Sequence, residues 1–349
     1  MTRTLVAFLL IAAMIASSHA QRPEALYYSV NEEESFESFQ RNLASIDIIG
    51  PQVFKVDANG IISGNVDPRV MELSRTHGIK VMPLLIQPGF DQPMFQKLLR
   101  DPKAQARSIA SMVALCKEHR FYGLQFDFEN IHVTDRDAYT NYYRAAAAAL
   151  HKEGFAISMA VVPRISDDPG PTSYHKWIYE YWRGVYDYKA IADVSDFISF
   201  MTYDQHTHLT PPGPVAGMPW MIDCIEFVLS QGVPAEKISI GFPFYSTHWF
   251  PYAKDEQVQH VAGRSYSYKD VKGIADQHKA TIRWDETEKV NYTIFCNEGL
   301  NEHIYFEDAK AMKAKLELLK QYRFRGFSIW RLGNEDPEVW KVLPKAGRR

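Results

Sequence analysis

Strand-like apolar runs alternate with amphipathic helical stretches along most of this 349-residue chain. That alternation restricts the fold more than any other feature. Parallel strands cannot be joined by tight turns, so a crossover, usually a helix, must carry the chain back. The apolar runs place strands at Ala25–Val30, Ile46–Phe54, Lys80–Ile86, Phe121–Phe128, Phe155–Val162, Phe197–Tyr203, Lys237–Phe244 and Gly326–Trp330. Helical periodicity falls between them, at Glu32–Leu43, Pro68–His77, Pro102–His119, Arg136–Lys152, Tyr186–Ala192, Pro219–Ser230 and Glu307–Tyr322. Local punctuation agrees: Asp67 precedes Pro68 as an N-cap, Gly78 ends that helix, and Asn59-Gly60 marks a hairpin. Eight strands with crossovers predict an α/β protein, a closed (β/α)₈ TIM barrel. An open doubly wound sheet is the alternative, but no GxGxxG follows a strand. The rhythm breaks over residues 246–305, with a helix near Tyr268–His278 and β-like pieces at Thr281–Trp284 and Tyr292–Phe295. This predicts a small α+β insertion between strands seven and eight, since a structureless loop of that length is uncommon.

The first 20 residues have the pattern of a secretory signal peptide: Arg3, an apolar run from Leu5 to Ala16, and Ser18-His19-Ala20 before Gln21. The mature chain, 21–349, is expected to act secreted or in a periplasm, with no stable membrane anchor. Lys and Arg (39) nearly balance Asp and Glu (42), which argues against a nucleic-acid partner. Three cysteines, Cys116, Cys224 and Cys296, allow one disulfide and no framework, and no CxxC suggests zinc.

The most informative run is Tyr122-Gly123-Leu124-Gln125-Phe126-Asp127-Phe128-Glu129-Asn130. Side chains alternate faces along a strand. Leu124, Phe126 and Phe128 then face the outer helices. Gln125, Asp127 and Glu129 face the barrel interior and run toward the C-terminal mouth, where barrel enzymes build their sites. Two neighbouring carboxylates in such a place push one pKa up, which keeps a carboxylic acid protonated near neutral pH.

The run resembles the DGxDxDxE signature of glycoside hydrolase family 18, the chitinase-like family. It is most similar to the branch holding spore-cortex peptidoglycan glucosaminidases and chitinase-domain-containing secreted proteins. Phe200-Met201-Thr202-Tyr203-Asp204 resembles the family's M-x-Y-D strand, and Gly241-Phe242-Pro243-Phe244-Tyr245 its G-x-P-x-Y strand. Gly326-Phe327-Ser328-Ile329-Trp330 resembles the eighth strand, ending in a Trp that floors the sugar site. Phe306-Glu307-Asp308-Ala309 and Leu332-Gly333 resemble the same branch. The resemblance runs from about Ala25 to Trp340. It implies a secreted hydrolase of N-acetylglucosamine-containing polysaccharide or oligosaccharide, of peptidoglycan or chitin type, by substrate-assisted retention. It assigns Glu129 as general acid, Asp127 as the carboxylate orienting the substrate acetamido group, and Tyr203 as donor to the acetamido oxygen. Asp204 and Met201 would contact sugar, and Trp330 would stack beneath it. Two positions depart from the signature: Tyr122 replaces its first Asp, and Gln125 stands four before the acid. Gln cannot ionise, so no proton relay runs inward; its amide can instead donate to Asp127.

Gln87, Arg164, Tyr245 and Tyr28 fall at strand ends and, with Gln125, are candidate substrate contacts. His206 and His208 have no helical or carboxylate partners in the pattern, so a solvated loop is preferred to a metal site. Neither metal nor cofactor is expected, and the chain is expected to be a monomer. Asn291-Tyr292-Thr293 is a glycosylation sequon. The rival function is a catalytically inactive, lectin-like glycan-binding barrel.

Overall fold

The computed structural model describes residues 22–255 and 258–346; the leader expected over 1–20 lies outside them. Eight parallel strands form the barrel. They are Glu24–Ser29, Ile48–Val56, Lys80–Val81 continued by Leu84–Ile86, Gly123–Phe126, Ala156–Val161, Phe197–Phe200, Ile238–Pro243 and Gly326–Trp330. Each neighbours its predecessor, and the ring closes because the first strand pairs with both the second and the eighth. The third strand is interrupted at Met82-Pro83, where proline has no N–H to give the ladder. Gly123 lets the fourth strand approach the fifth closely: a Cβ there would lie 1.9 Å from the Ala156 carbonyl oxygen.

The predicted alternation of faces holds in the fourth strand. Phe126 packs on Tyr142 and Tyr143 of helix Arg136–Lys152, with ring centroids 5.5 and 5.1 Å away. Phe128 stacks on Phe95 at 4.5 Å. Inside the ring, Leu26, Tyr28, Ile48, Met82, Leu84, Ala156 and Phe197 form a separate apolar layer. Polar groups among them pair with one another, as burial demands. The Tyr28 hydroxyl donates to Ser199 at 2.6 Å, Ser199 meets Ser328 at 2.6 Å, and the Gln125 amide donates to Ser158 at 2.7 Å.

Between the seventh and eighth barrel strands lies a five-stranded antiparallel sheet with helix Tyr268–Gln277. Its strands are Ser246–Asp255, Val258–Tyr266, Arg283–Asp285, Val290–Asn297 and Leu300–Phe306. Val271, Phe295, Ile304 and Phe306 form its own core. The sequence pointed to the helix and two of these strands but not to the hairpin from Ser246 to Tyr266. That hairpin's apolar run, Trp249–Ala253, is broken by Pro251, and the rest mixes charged and polar residues with its apolar ones. Trp249 is buried, and its indole N–H donates to the Thr207 carbonyl at 3.3 Å, tying the insertion to the loop after the sixth barrel strand.

Two short helices, Gln92–Arg100 and Ser173–Ile178, were not expected. Cys116, Cys224 and Cys296 are all free. Asn291 and Thr293 of the sequon are buried within a strand. No helix among the described residues is long and apolar enough to cross a membrane.

Candidate active site

The fourth strand's ladder ends at Phe126, two residues earlier than predicted, and the chain then continues into the barrel mouth. Asp127 still bonds the third strand, its N–H reaching the Leu85 carbonyl at 3.0 Å. That neighbour ends at Ile86, so no strand backbone remains for Glu129. The Gln87 side chain replaces it. Its amide nitrogen donates to the Glu129 carbonyl, and its amide oxygen accepts from the Glu129 N–H at 3.3 Å. Tyr186 donates its hydroxyl to the Phe128 carbonyl at 2.8 Å. Gln92 donates to the Asn130 carbonyl at 3.2 Å, and Asn130 takes φ of 51°, turning the chain away after the acid. Glu129 is thus fixed by its backbone on both sides.

Asp127 is 4 % exposed and receives a hydrogen bond from the Gln52 amide at 3.1 Å. Burial pushes its pKa up to about 6, against the opposing pull of Gln52. Glu129 is half-buried. Burial first, then the negative charges of Asp127 and Asp204, hold its carboxyl well above the usual carboxylate range. Burial pushes both carboxyls toward the protonated form, and Glu129 is the one that also faces two negative neighbours. No protein group among the described residues hydrogen-bonds the Glu129 carboxyl.

Both carboxyls line a cleft of about 560 Å³ at the C-terminal mouth. Tyr28, Met201, Tyr203, Asp204, Tyr245 and Trp330 line it too. Trp330 is half-buried, with its ring 5.7 Å from that of Tyr28. Tyr203 is 7 % exposed, and its hydroxyl makes no hydrogen bond to protein among the described residues. Tyr245 lies edge-on to Tyr203, with 6.2 Å between ring centroids, and donates its hydroxyl to Asp204.

Three expected substrate contacts do not line the cleft. Gln87 is 1 % exposed and is spent on the Glu129 backbone. Gln125 is fully buried and turns to Ser158 rather than to Asp127, so the support expected of it comes from Gln52 instead. Arg164 is buried; it stacks 4.2 Å over the Tyr188 ring and donates to Asp167 and to the carbonyls of Arg183 and Tyr186. A polar side chain at a strand end is equally suited to facing the mouth or to tying down the next loop.

Sequence reasoning also missed contributors. Gln52 was a legible signal, a lone amide in an apolar strand. Tyr174, Trp177, Trp182 and Arg183, on one excursion after the fifth strand, form a largely aromatic wall with Phe90. Across from the barrel residues, Thr247, Gly263 and Ser265 of the insertion line the cleft, as does His208. No group of three or more His, Cys, Asp or Glu among the described residues is placed to hold a metal ion.

The fold has close counterparts. A chitinase from Chromobacterium violaceum superposes with a TM-score of 0.81 at 23 % identity, over 92 % of this chain and 98 % of that one. The spore cortex-lytic enzyme SleL of Bacillus megaterium gives 0.79 at 23 % identity, over 92 % of this chain and 73 % of its own. In sequence, the chain is 29 % identical over 300 residues to the cortical fragment-lytic enzyme of Bacillus subtilis, covering 84 % of this chain and 66 % of that protein. It is 25 % identical over 324 residues to the uncharacterized glycosylase YvbX of the same organism, covering 91 % and 90 %. The sequence profile of the glycosyl hydrolases family 18 matches residues 27–335, nearly the whole barrel, so this chain belongs to that family and is a glycoside hydrolase.

Proposed function

We propose that the cleft cleaves β-linked, N-acetylglucosamine-containing glycans of peptidoglycan or chitin type by substrate-assisted retention, outside the cytoplasm. The observation that carries this reading is the Asp127–Glu129 pair. The Glu129 carboxyl is unengaged and pushed well toward its protonated form, and its neighbour Asp127 is held by Gln52. Glu129 gives its proton to the glycosidic oxygen as the bond to the anomeric carbon breaks. The substrate's own acetamido oxygen attacks that carbon, taking the place of the enzyme nucleophile used by most retaining glycosidases. Asp127 accepts the acetamido N–H and balances the positive charge of the cyclic intermediate. The free Tyr203 hydroxyl donates to the acetamido oxygen, and Trp330 supports the sugar face. Water then opens the intermediate, with Glu129 taking its proton back.

The test is hydrolysis of purified peptidoglycan and of chitin oligosaccharides by the wild type and by Glu129→Gln, with products identified by mass. A general acid contributes about 10²–10⁴-fold, so Glu129→Gln should lose turnover on that scale and keep its glycan affinity. Saturable binding with no product even from the wild type would point to a lectin-like protein instead.

A further inference from the structure

Among the described residues lining the cleft, Arg183 is the sole arginine or lysine. It is half-buried, and its guanidinium makes neither ion pair nor hydrogen bond among the described residues. Its Nε is shut off from solvent without an acceptor. Buried guanidinium groups ordinarily meet carboxylates or carbonyls, because an unpaired donor keeps its full desolvation cost. Neighbouring arginines obey that rule: Arg136 donates to the Gly184 carbonyl, and Arg164 to Asp167 and two carbonyls. The catalytic acids do not serve as partners. Burial and the Gln52 hydrogen bond account for the shift of Asp127, and burial with the charges of Asp127 and Asp204 for that of Glu129, without Arg183.

The position of Arg183 is nonetheless firmly set. Arg164 holds its carbonyl at 3.2 Å, Arg136 holds Gly184 at 2.8 Å, and Tyr186 bonds the Phe128 carbonyl, one residue before Glu129. The turn that carries the unpaired cation is therefore braced against the catalytic segment. Preorganisation of this kind is what a ligand-binding arginine needs.

We propose that Arg183 binds a free carboxylate on the glycan, so that the cleft prefers an acidic N-acetylated sugar chain, such as one whose muramic acid lactyl groups carry no peptide, over neutral chitin. This rests on the glycan-cleaving reading above and adds the substrate class. A guanidinium fork matches a carboxylate in two parallel hydrogen bonds. The aromatic wall of Trp177 and Trp182 beside it offers apolar faces for the sugar rings.

Equilibrium binding tests the proposal without relying on turnover. Three ligands of equal length are titrated into the wild type and into Arg183→Gln and Arg183→Lys: a muramyl oligosaccharide with free lactyl carboxylates, its methyl ester, and a chito-oligosaccharide. The wild type should favour the free acid over both neutral ligands. Arg183→Gln should reduce that preference by about 10-fold or more, the scale of a charge-assisted pair, and Arg183→Lys should restore part of it. A preference for the acid that survives in Arg183→Gln, or no preference in the wild type, would overturn the assignment. Absence of turnover alongside this binding pattern would instead count against the hydrolytic reading alone.

Discussion

Gln52 donates the hydrogen bond that favours the charged form of Asp127, whose pKa otherwise rises through burial. Removing that donor must raise the pKa further. The acid limb of kcat/KM, expected near pH 6 from Asp127, should therefore move to higher pH in Gln52→Ala. In the proposed mechanism Asp127 must be ionised, so activity is lost as pH falls through its pKa. The same mechanism gives the alkaline limb to Glu129, which keeps its proton, and that limb should move little. A pH–rate profile of the two proteins decides the matter, and an unmoved acid limb would remove Gln52 from this role. At this scale the sequence showed the two acids clearly, because alternation along one strand is enough to place them together. It could not show which amide supports Asp127. Gln125 lies on the right face but one layer too deep, where Ser158 is nearer, whereas Gln52 comes from a different strand.

The segment carrying Asp127 and Glu129 leaves its own ladder before it reaches Glu129, and Gln87 acts as the missing strand neighbour. Gln87→Leu would leave the Glu129 N–H and carbonyl without those partners. The cost is about 1–3 kcal/mol for each group left unsatisfied, and the acid is no longer held in place. A small displacement of a catalytic group can cost ~10²-fold. The expectation is a lower Tm and a kcat reduced by about 10–100-fold, with KM little changed, which thermal melts and steady-state kinetics would measure. A normal kcat in the destabilised variant would show that the amide serves stability alone. The long elements were legible: helix Pro102–His119 lies where its periodicity put it. Strand ends were not, because the apolar pattern runs on past Phe126 after backbone pairing has stopped. The stretch from Ser166 to Arg183 stood out in the sequence as rich in Pro and aromatics, but helix Ser173–Ile178 within it did not, because six residues are too few to display a helical period.

The cleft belongs to the whole molecule. Its acids come from the fourth strand, its floor from Trp330 at the end of the eighth, and its walls from the excursion after the fifth strand and from the insertion. The barrel and the existence of the insertion could be read from the sequence, since each strand must bury one face against helices and the rhythm stops where the insertion begins. How far the insertion and the aromatic excursion close over the acids could not, because tertiary packing alone sets it. The signal-peptide reading of residues 1–20 carries its own prediction: N-terminal sequencing of the protein recovered outside the cytoplasm should begin at Gln21, and residues 1–20 still attached there would count against that reading.

The central claim is that the substrate supplies its own nucleophile beside Asp127 while Glu129 protonates the leaving oxygen. The most direct measurement compares hydrolysis of one β-linked oligosaccharide with its de-N-acetylated counterpart under identical conditions, with products identified by mass. An acetamido nucleophile requires cleavage of the acetylated chain and none of the de-N-acetylated one; equal cleavage of both would rule it out.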